Sequence, residues 1–280
     1  MASEHKQTRS EQRDAARAMA KQMREAQKKS EQRRKLSIVS GVVALILGIG
    51  ALIGWSVIAN QPAPSLTPTN LIYDNGIRIG TNLEAFTPTV KPTTANVPVI
   101  KIYLDYQCPI CQAFDIPNSS LIESKVKAGE WIVEYHPISF LDGRASPNTY
   151  SSRAANSAIC VSEYDPSKFL TYTNLLYAHQ PAENTAGPEN DGLIKYTEQV
   201  QVKNADQIAS CINNKSFGDW LKSTTDKALN EKVPGTTLNV DGTPFIVVNG
   251  QKYTWNTAAD LGSPARVEQW VAAAWAAPTN

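Results

Sequence analysis

Hydrophobic and polar positions divide the chain into regimes before any single residue is considered. Residues 5–35 are rich in Ala, Glu, Gln, Lys and Arg with few apolar positions, which suits a surface helix or a partly disordered tail. Leu36–Ala59 is an uncharged run of 24 residues. As a helix it reaches about 36 Å, enough to cross a bilayer with some tilt. Gln61–Asn70, with Pro62, Pro64 and Pro68, reads as an extended linker. From Leu71 the pattern changes to short alternating and helical runs. Leu71–Phe86 starts a folded domain, with Gly76–Gly80 as a short edge strand. Val97–Tyr106 is an apolar, β-rich run; Gln112–Ala128 has a helical pattern; Trp131–Pro137 reads as the next strand. Ala154–Val161, Pro166–Tyr177, Gly192–Val200 and Ala205–Ile212 read as helices. Phe245–Val248 is a short strand, Asn249-Gly250 a hairpin turn, Gln251–Trp255 the return strand, and Ser263–Ala276 a closing helix. The predicted organisation is a tail over 1–35, a membrane anchor over 36–59, a linker over 60–70, and a domain over 71–280 with a helical insertion at about 145–232. No internal repeat is present.

Charge sharpens this division. The formal net charge is +1, yet residues 1–35 hold 11 Lys/Arg against 5 Asp/Glu, leaving 16 against 21 in the remainder. A basic segment ahead of an apolar span stays in the cytoplasm, which predicts a single-pass protein with its C-terminal domain outside. A cleavable signal peptide is the rival reading, but its apolar core runs to 7–15 residues, shorter than this one. Gly50 and Gly54 form a GxxxG, although glycine is common in membrane helices anyway. Charge beside a membrane span accounts for the basic run without a nucleic-acid partner.

The chemistry is concentrated in Cys108-Pro109-Ile110-Cys111, between the β-rich run and the helical pattern. Two cysteines three apart at a helix start lie one turn from each other, within disulfide reach. The positive end of the helix favours the thiolate at Cys108, and the thiolate is the nucleophile of disulfide exchange. Pro109 suits the first helical turn. A structural zinc site needs four ligands, and there is neither a second CxxC nor paired histidines, so redox chemistry is favoured over a metal or an inert pair. No cofactor or metal is expected: Gly-rich phosphate loops, acidic metal clusters and Ser-His-Asp arrangements are not evident.

Downstream, Thr243-Pro244 immediately precedes the hairpin. The order of strand, CxxC helix, strand, helical section, proline, hairpin and helix resembles the thioredoxin superfamily, and within it the DsbA-like oxidoreductases with an inserted helical domain. Phe140-Leu141-Asp142 and Ser151-Ser152-Arg153-Ala154-Ala155-Asn156 resemble the membrane-anchored, actinobacterial-type members. The resemblance covers roughly 71–280. It implies an α/β, thioredoxin-like fold with a helical insertion behind one N-terminal transmembrane helix. It also implies a cis Pro244 beside the CxxC and a Thr243 able to pair with substrate backbone. Many members carry histidine at the position of Ile110 and a buried acid at that of Ile102. Asp105 reads as the end of a strand. Glu134 reads as a solvated strand residue or, alternatively, a proton-handling group, and His136 as a structural histidine that could touch the site.

All four cysteines lie beyond the apolar run, where disulfides persist. Cys160 and Cys211 are too distant in sequence to form a local redox pair and read as a structural staple of the insertion; two separate buried thiols are the alternative. The resulting expectation is an extracytoplasmic thiol-disulfide oxidoreductase that oxidises exported thiol proteins and, by resemblance, is reoxidised by a quinone-linked membrane partner. A reductase or isomerase (including a haem-maturation thioredoxin) uses the same residues in another direction. A non-catalytic binding module is the reading from a different class.

Overall fold

The computed structural model describes residues 9–59, 66–89 and 96–278. The chain divides into two compact units, 1–62 and 63–280. In the first, the basic stretch and the apolar run form one helix, α1 (Arg9–Ala59), of 51 residues. Among the described residues no helix is long and apolar enough to cross a membrane. The span expected at 36–59 falls partly on side chains outside the described residues, as do residues 60–65 of the expected linker.

The second unit is built on a five-stranded sheet. Its elements begin with β1 (Ile77–Ile79), β2 (Val99–Leu104), α2 (Pro109–Lys127) and β3 (Ile132–Pro137). The insertion follows as α3 (Tyr150–Tyr164), a 3-10 turn (Pro166–Lys168), α4 (Phe169–Ala178), α5 (Asn190–Gln199), α6 (Ala205–Asn213) and α7 (Gly218–Asn230). The chain closes with β4 (Phe245–Val248), β5 (Gln251–Lys252), α8 (Ala258–Leu261) and α9 (Pro264–Ala276). The strand order is β1-β3-β2-β4-β5. Only β2 and β3 are parallel, joined by the α2 crossover; the other pairs are antiparallel.

Strand alternation gives the sheet two different faces. Ile100, Ile102 and Leu104 join Val133, Tyr135, Ile246 and Val248 in the main core with Cys111, Phe114, Ile122 and Val126 of α2. Tyr103, Phe245 and Val247 face the other way, under Val233 and Val240. Lys101, Glu134 and His136 share that second face by register. The solvated position expected for Glu134 is therefore corrected. Its carboxylate is fully buried, accepts from His136 Nε2 at 2.6 Å, and is ion-paired with Arg78 and Lys101. Burial alone would raise its pKa, but these partners hold it below the ordinary carboxylate value. Gly76 is required here, since a Cβ would lie 2.6 Å from Glu134 Cγ and 2.8 Å from the His136 ring.

Helix α2 begins three residues earlier than its hydrophobic pattern indicates, because Pro109 opens the first turn. It also runs through Pro117, whose missing N–H leaves the Ala113 carbonyl without its helical donor. Gly262 fits closely there: a Cβ would stand 3.1 Å from both Ala113 O and Pro117 Cγ. Asn118, fully buried, donates to Phe114 O at 2.7 Å and Leu261 O at 3.1 Å, fastening α8 to the same place.

In the insertion α3 is the central helix, packed on α4, α5, α6 and α7. A disulfide joins Cys160 of α3 to Cys211 of α6, 51 positions apart. In the chain-entropy description a loop of that size stabilises by about 4 kcal/mol. Helix α7 was absent from the pattern-based expectation because its buried face includes Thr225 beside Leu221, which weakens the hydrophobic period.

Asp115 generates a prediction about stability. It lies one turn beyond Cys111 in α2, is buried, and its Oδ2 has no hydrogen-bond partner. Burial, then the charge of Glu123, pushes its carboxyl from 3.8 up to about 7. The folded state thus binds this proton more tightly than the unfolded chain. Its stabilising contribution is present below about pH 4 and is lost as pH rises to 7. Asp115→Asn should gain on the order of 4 kcal/mol at pH 8 and nothing near pH 4. Denaturant midpoints at the two pH values check this; equal midpoints for variant and parent at pH 8 would contradict it.

Candidate active site

The CxxC turn and the Thr243-Pro244 turn meet because their strands are neighbours. Tyr103 of β2 pairs with Phe245 of β4, so the chain leaving β2 and the chain entering β4 lie at the same end of the sheet. The Thr243-Pro244 peptide is cis. Cys108 is the N-cap of α2, in extended backbone, and Cys111 sits in the first turn. Both are free thiols. Cys108 Sγ donates to Thr243 O at 3.1 Å. Pro109 and Ile110 are exposed, so this apolar dipeptide forms the outer surface of the site and Ile110 brings no polar group to it.

The two thiols are chemically unequal. The pKa of Cys108 is lowered from 9.0 to about 7. The Cys111 thiol contributes most by hydrogen-bonding to it, burial opposes, and Thr243 and the Cys111 and Ile110 N–H groups add to the lowering. The Thr243 hydroxyl is buried with no hydrogen-bond partner among the described residues. Cys111 is pushed well above 9.0, first by burial and then by the hydrogen bond and charge of Cys108.

Behind the cysteines stands Asp105. It follows β2, yet it does more than end the strand. Its side chain is fully buried and accepts from Gln107 N at 2.8 Å, Leu141 N at 2.9 Å and Ser151 Oγ at 2.7 Å. Its own carbonyl accepts from Cys108 N at 3.1 Å. Burial raises its carboxyl to about 6 even against those three donors. Three glutamines, Gln107, Gln112 and Gln180, also connect this turn to the insertion. Sequence reading missed them because a neutral amide outside a periodic pattern carries no signal. Ser151 did carry one, as part of the Ser151–Asn156 segment.

Other singled-out residues lie elsewhere. Glu134 and His136 occupy the opposite sheet face, and His136 stacks on Tyr103 with centroids 4.3 Å apart. Cys160 and Cys211 are buried in the insertion. Among the described residues no group of three His, Cys, Asp or Glu side chains is arranged to hold a metal ion.

Comparison with known proteins identifies the family and the fold. The family model described as Thioredoxin matches residues 93–263. The structure is similar to that of reduced DsbA from Mycobacterium tuberculosis, with TM-score 0.52 and 26% identity, over 71% of this chain and 98% of that one. It is similar to the reduced form of the disulfide bond oxidoreductase DsbG from the same organism, with TM-score 0.52 and 27% identity, over 74% and 95%. The serine/threonine-protein kinase PknE of Mycobacterium tuberculosis is 30% identical over 192 residues. That match takes in 66% of this chain but spans only 31% of the kinase's length.

The inequality of the thiols sets the order in which they react. With a folded pKa of about 7, Cys108 is half thiolate at neutral pH, while Cys111 stays protonated. A small alkylating reagent should modify Cys108 first, at a rate that rises through pH 7 and levels off above about pH 8. Mass mapping of briefly alkylated, reduced protein tests the assignment. Earlier modification of Cys111 would reverse the roles.

Proposed function

The chain belongs to the thioredoxin family and is a DsbA-like thiol-disulfide oxidoreductase, and on that premise we propose that it introduces disulfides into exported proteins from a domain outside the membrane. The observation that carries this reading is the geometry of the pair: Cys108 caps α2 with its Sγ 3.1 Å from Thr243 O beside the cis Pro244, and Cys111 is buried behind it. A Cys108 pKa of about 7 makes it the exchanging thiol but equals that of thioredoxin, so the oxidising direction rests on the extracytoplasmic setting and on the likeness to DsbA. At pH 7, where Cys108 is half ionised, the fall from 9.0 to about 7 stabilises the reduced form by RT ln 2, roughly 0.4 kcal/mol.

The reaction begins with Cys108 and Cys111 joined. A substrate thiolate attacks Cys108 Sγ, the S–S bond breaks, and its electron pair leaves on Cys111, which takes up a proton. A second substrate thiolate attacks the substrate sulfur of the mixed disulfide and expels Cys108 as a thiolate, the better leaving group. Two electrons have passed from the substrate thiols to the enzyme. Of the two protons released, one is held by Cys111 and the other is shared between Cys108 and solvent. Thr243, next to the nucleophile and ahead of a cis proline, offers backbone to an extended substrate segment, and Pro109 and Ile110 give it an apolar rim. Reoxidation requires a two-electron acceptor, for which a quinone-linked membrane protein is the proposed partner.

The anchor belongs to this proposal. Leu45, Ile46, Leu47 and Ile49 of α1 are exposed, with no protein packed over them. They fall in an uncharged run flanked by Arg33-Arg34-Lys35. A membrane would cover them and hold the basic side in the cytoplasm. On intact cells stripped of wall, added protease should digest the region beyond Ala59 and spare residues 1–35. A soluble domain cut near Ala59 would instead identify a cleaved signal peptide.

One observation favours the opposite direction of exchange: the Ile110 side chain supplies neither charge nor hydrogen bond to the Cys108 thiolate. The protein is therefore a weaker oxidant than a relative with histidine there. Equilibration with glutathione buffers measures this directly. Ile110→His should lower the Cys108 pKa and make the protein more oxidising, each tenfold in the equilibrium constant amounting to about 30 mV. A parent potential near −270 mV, that of thioredoxin on the same scale, would replace oxidation by reduction as the function.

A further inference from the structure

The insertion grips the CxxC turn through side chains that the exchange reaction does not itself need. Gln180, just past α4, donates from Nε2 to Cys108 O at 3.0 Å and to Tyr106 O at 3.1 Å. Gln107 reaches in the other direction, from the residue before Cys108 to Ala182 O at 3.1 Å and Thr185 O at 3.0 Å. Gln112 Nε2 donates to Tyr177 O at 2.7 Å. Residues 106–112 and 177–185 are thus fastened by three amides, and Gln107 is fully buried with its Oε1 unpartnered. A buried polar group left unpaired is costly, which marks the fastening as constrained by geometry rather than by hydrogen-bond economy alone.

We propose that Gln180 is a positioning residue for Cys108, holding the carbonyl of the nucleophile's own residue so that the insertion sets how well the thiolate is stabilised. Cys108 is the helix N-cap, and its carbonyl already accepts from Gln112 N at 3.2 Å. The second donor, Gln180, holds the same carbonyl from the insertion. Its amide also offsets the partial negative charge of two carbonyls, Tyr106 O and Cys108 O, that lie next to the sulfur in the chain. With the peptide held, Sγ stays in reach of the Ile110 and Cys111 N–H groups. With the peptide free, the turn relaxes and those donors are lost in part. Of the three side-chain amides, Gln180 is the one that donates to the Cys108 carbonyl, so the effect is specific to it. It rests on Cys108 being the nucleophile.

The test compares Gln180→Leu, which keeps the bulk and removes the donor, with Gln112→Leu, which cuts the insertion from α2 without touching the Cys108 carbonyl. Thiolate absorbance gives the Cys108 pKa, and glutathione equilibration gives the equilibrium constant. Q180L should weaken Cys108 acidity roughly three- to tenfold and make the protein less oxidising by the same factor, while Q112L leaves both near the parent values. Gln180→Glu supplies a variant with a signature of its own. An ionised carboxylate faces two carbonyls and cannot donate, whereas the protonated acid can, so the gap from the parent should widen between pH 5 and pH 8. Unchanged acidity and equilibrium constant in Q180L (or in Q180E, should Q180L not fold), or an equal change in Q112L, overturns the proposal. Failure of the parent to exchange with glutathione at all would instead overturn the oxidoreductase reading on which it rests.

Discussion

One buried carboxylate holds the active-site end of this domain together. Asp105 draws its three donors from three separate segments: the turn that leads into the CxxC, the loop after β3, and the first turn of α3. Those donors would favour an ionised acid, yet burial outweighs them and the carboxyl rises to about 6. The group is therefore held at a cost, and the cost is bearable because removing it would orphan two backbone N–H groups in the interior. That asymmetry makes the insertion an integral wall of the site. A domain attached only by its two connections could drift; one that shares a buried acid with the strand before the nucleophile cannot do so without exposing or abandoning that acid.

Helix α3 carries the constraint outward. Ser151 meets Asp105 at one end, and Cys160, nine residues and about 13 Å along the helix axis, is bonded to Cys211 of α6. Between them Arg153 reaches Ala186 O at 3.1 Å and also Pro188 O, holding the loop ahead of α5, and Asn156 Oδ1 accepts from Phe217 N at 3.0 Å where α7 begins. Ser151, Arg153 and Asn156 thus have a common physical role: each connects the buried central helix to a different neighbour. The disulfide acts on the unfolded chain by limiting its freedom. The hydrogen bonds act on the folded one, by selecting a single arrangement of helices over the redox turn.

The parts of this architecture that sequence reading found are those with strong local rules. A CxxC ahead of a helical pattern, a proline before a short apolar strand and an Asn-Gly turn each have a short-range physical cause, and the sheet order follows from them. Where the reading was incomplete, the cause was long-range. Asp105 looked like the last polar residue of a strand because its three partners arrive from residues 107, 141 and 151. Glu134 looked solvated because alternation along β3 places it opposite Tyr135, with nothing local to show that Arg78, Lys101 and His136 converge there. The hydrophobic pattern of α2 begins only at Gln112, but the rule that proline suits the first helical turn places the start at Pro109, where the helix begins. The glutamines were invisible because their value depends only on what stands across from them.

The titrating groups near the redox centre also have to be considered as one set. Cys108 and Asp115 both titrate at about 7 and Asp105 at about 6, while Cys111 is kept protonated partly by the charge of Asp105. Tyr106 and Tyr177 lie within the electrostatic reach of both Cys111 and Asp115. The coupling that reaches the redox pair is between Asp105 and Cys111: the charge of Asp105 raises the Cys111 thiol, on top of burial and the hydrogen bond and charge of Cys108. An ionised Asp105 therefore reinforces the proton on Cys111 and leaves Cys108 as the thiol that ionises near neutral pH. The acid that ties the insertion to the strand before the nucleophile thus also helps to keep the two thiols unequal.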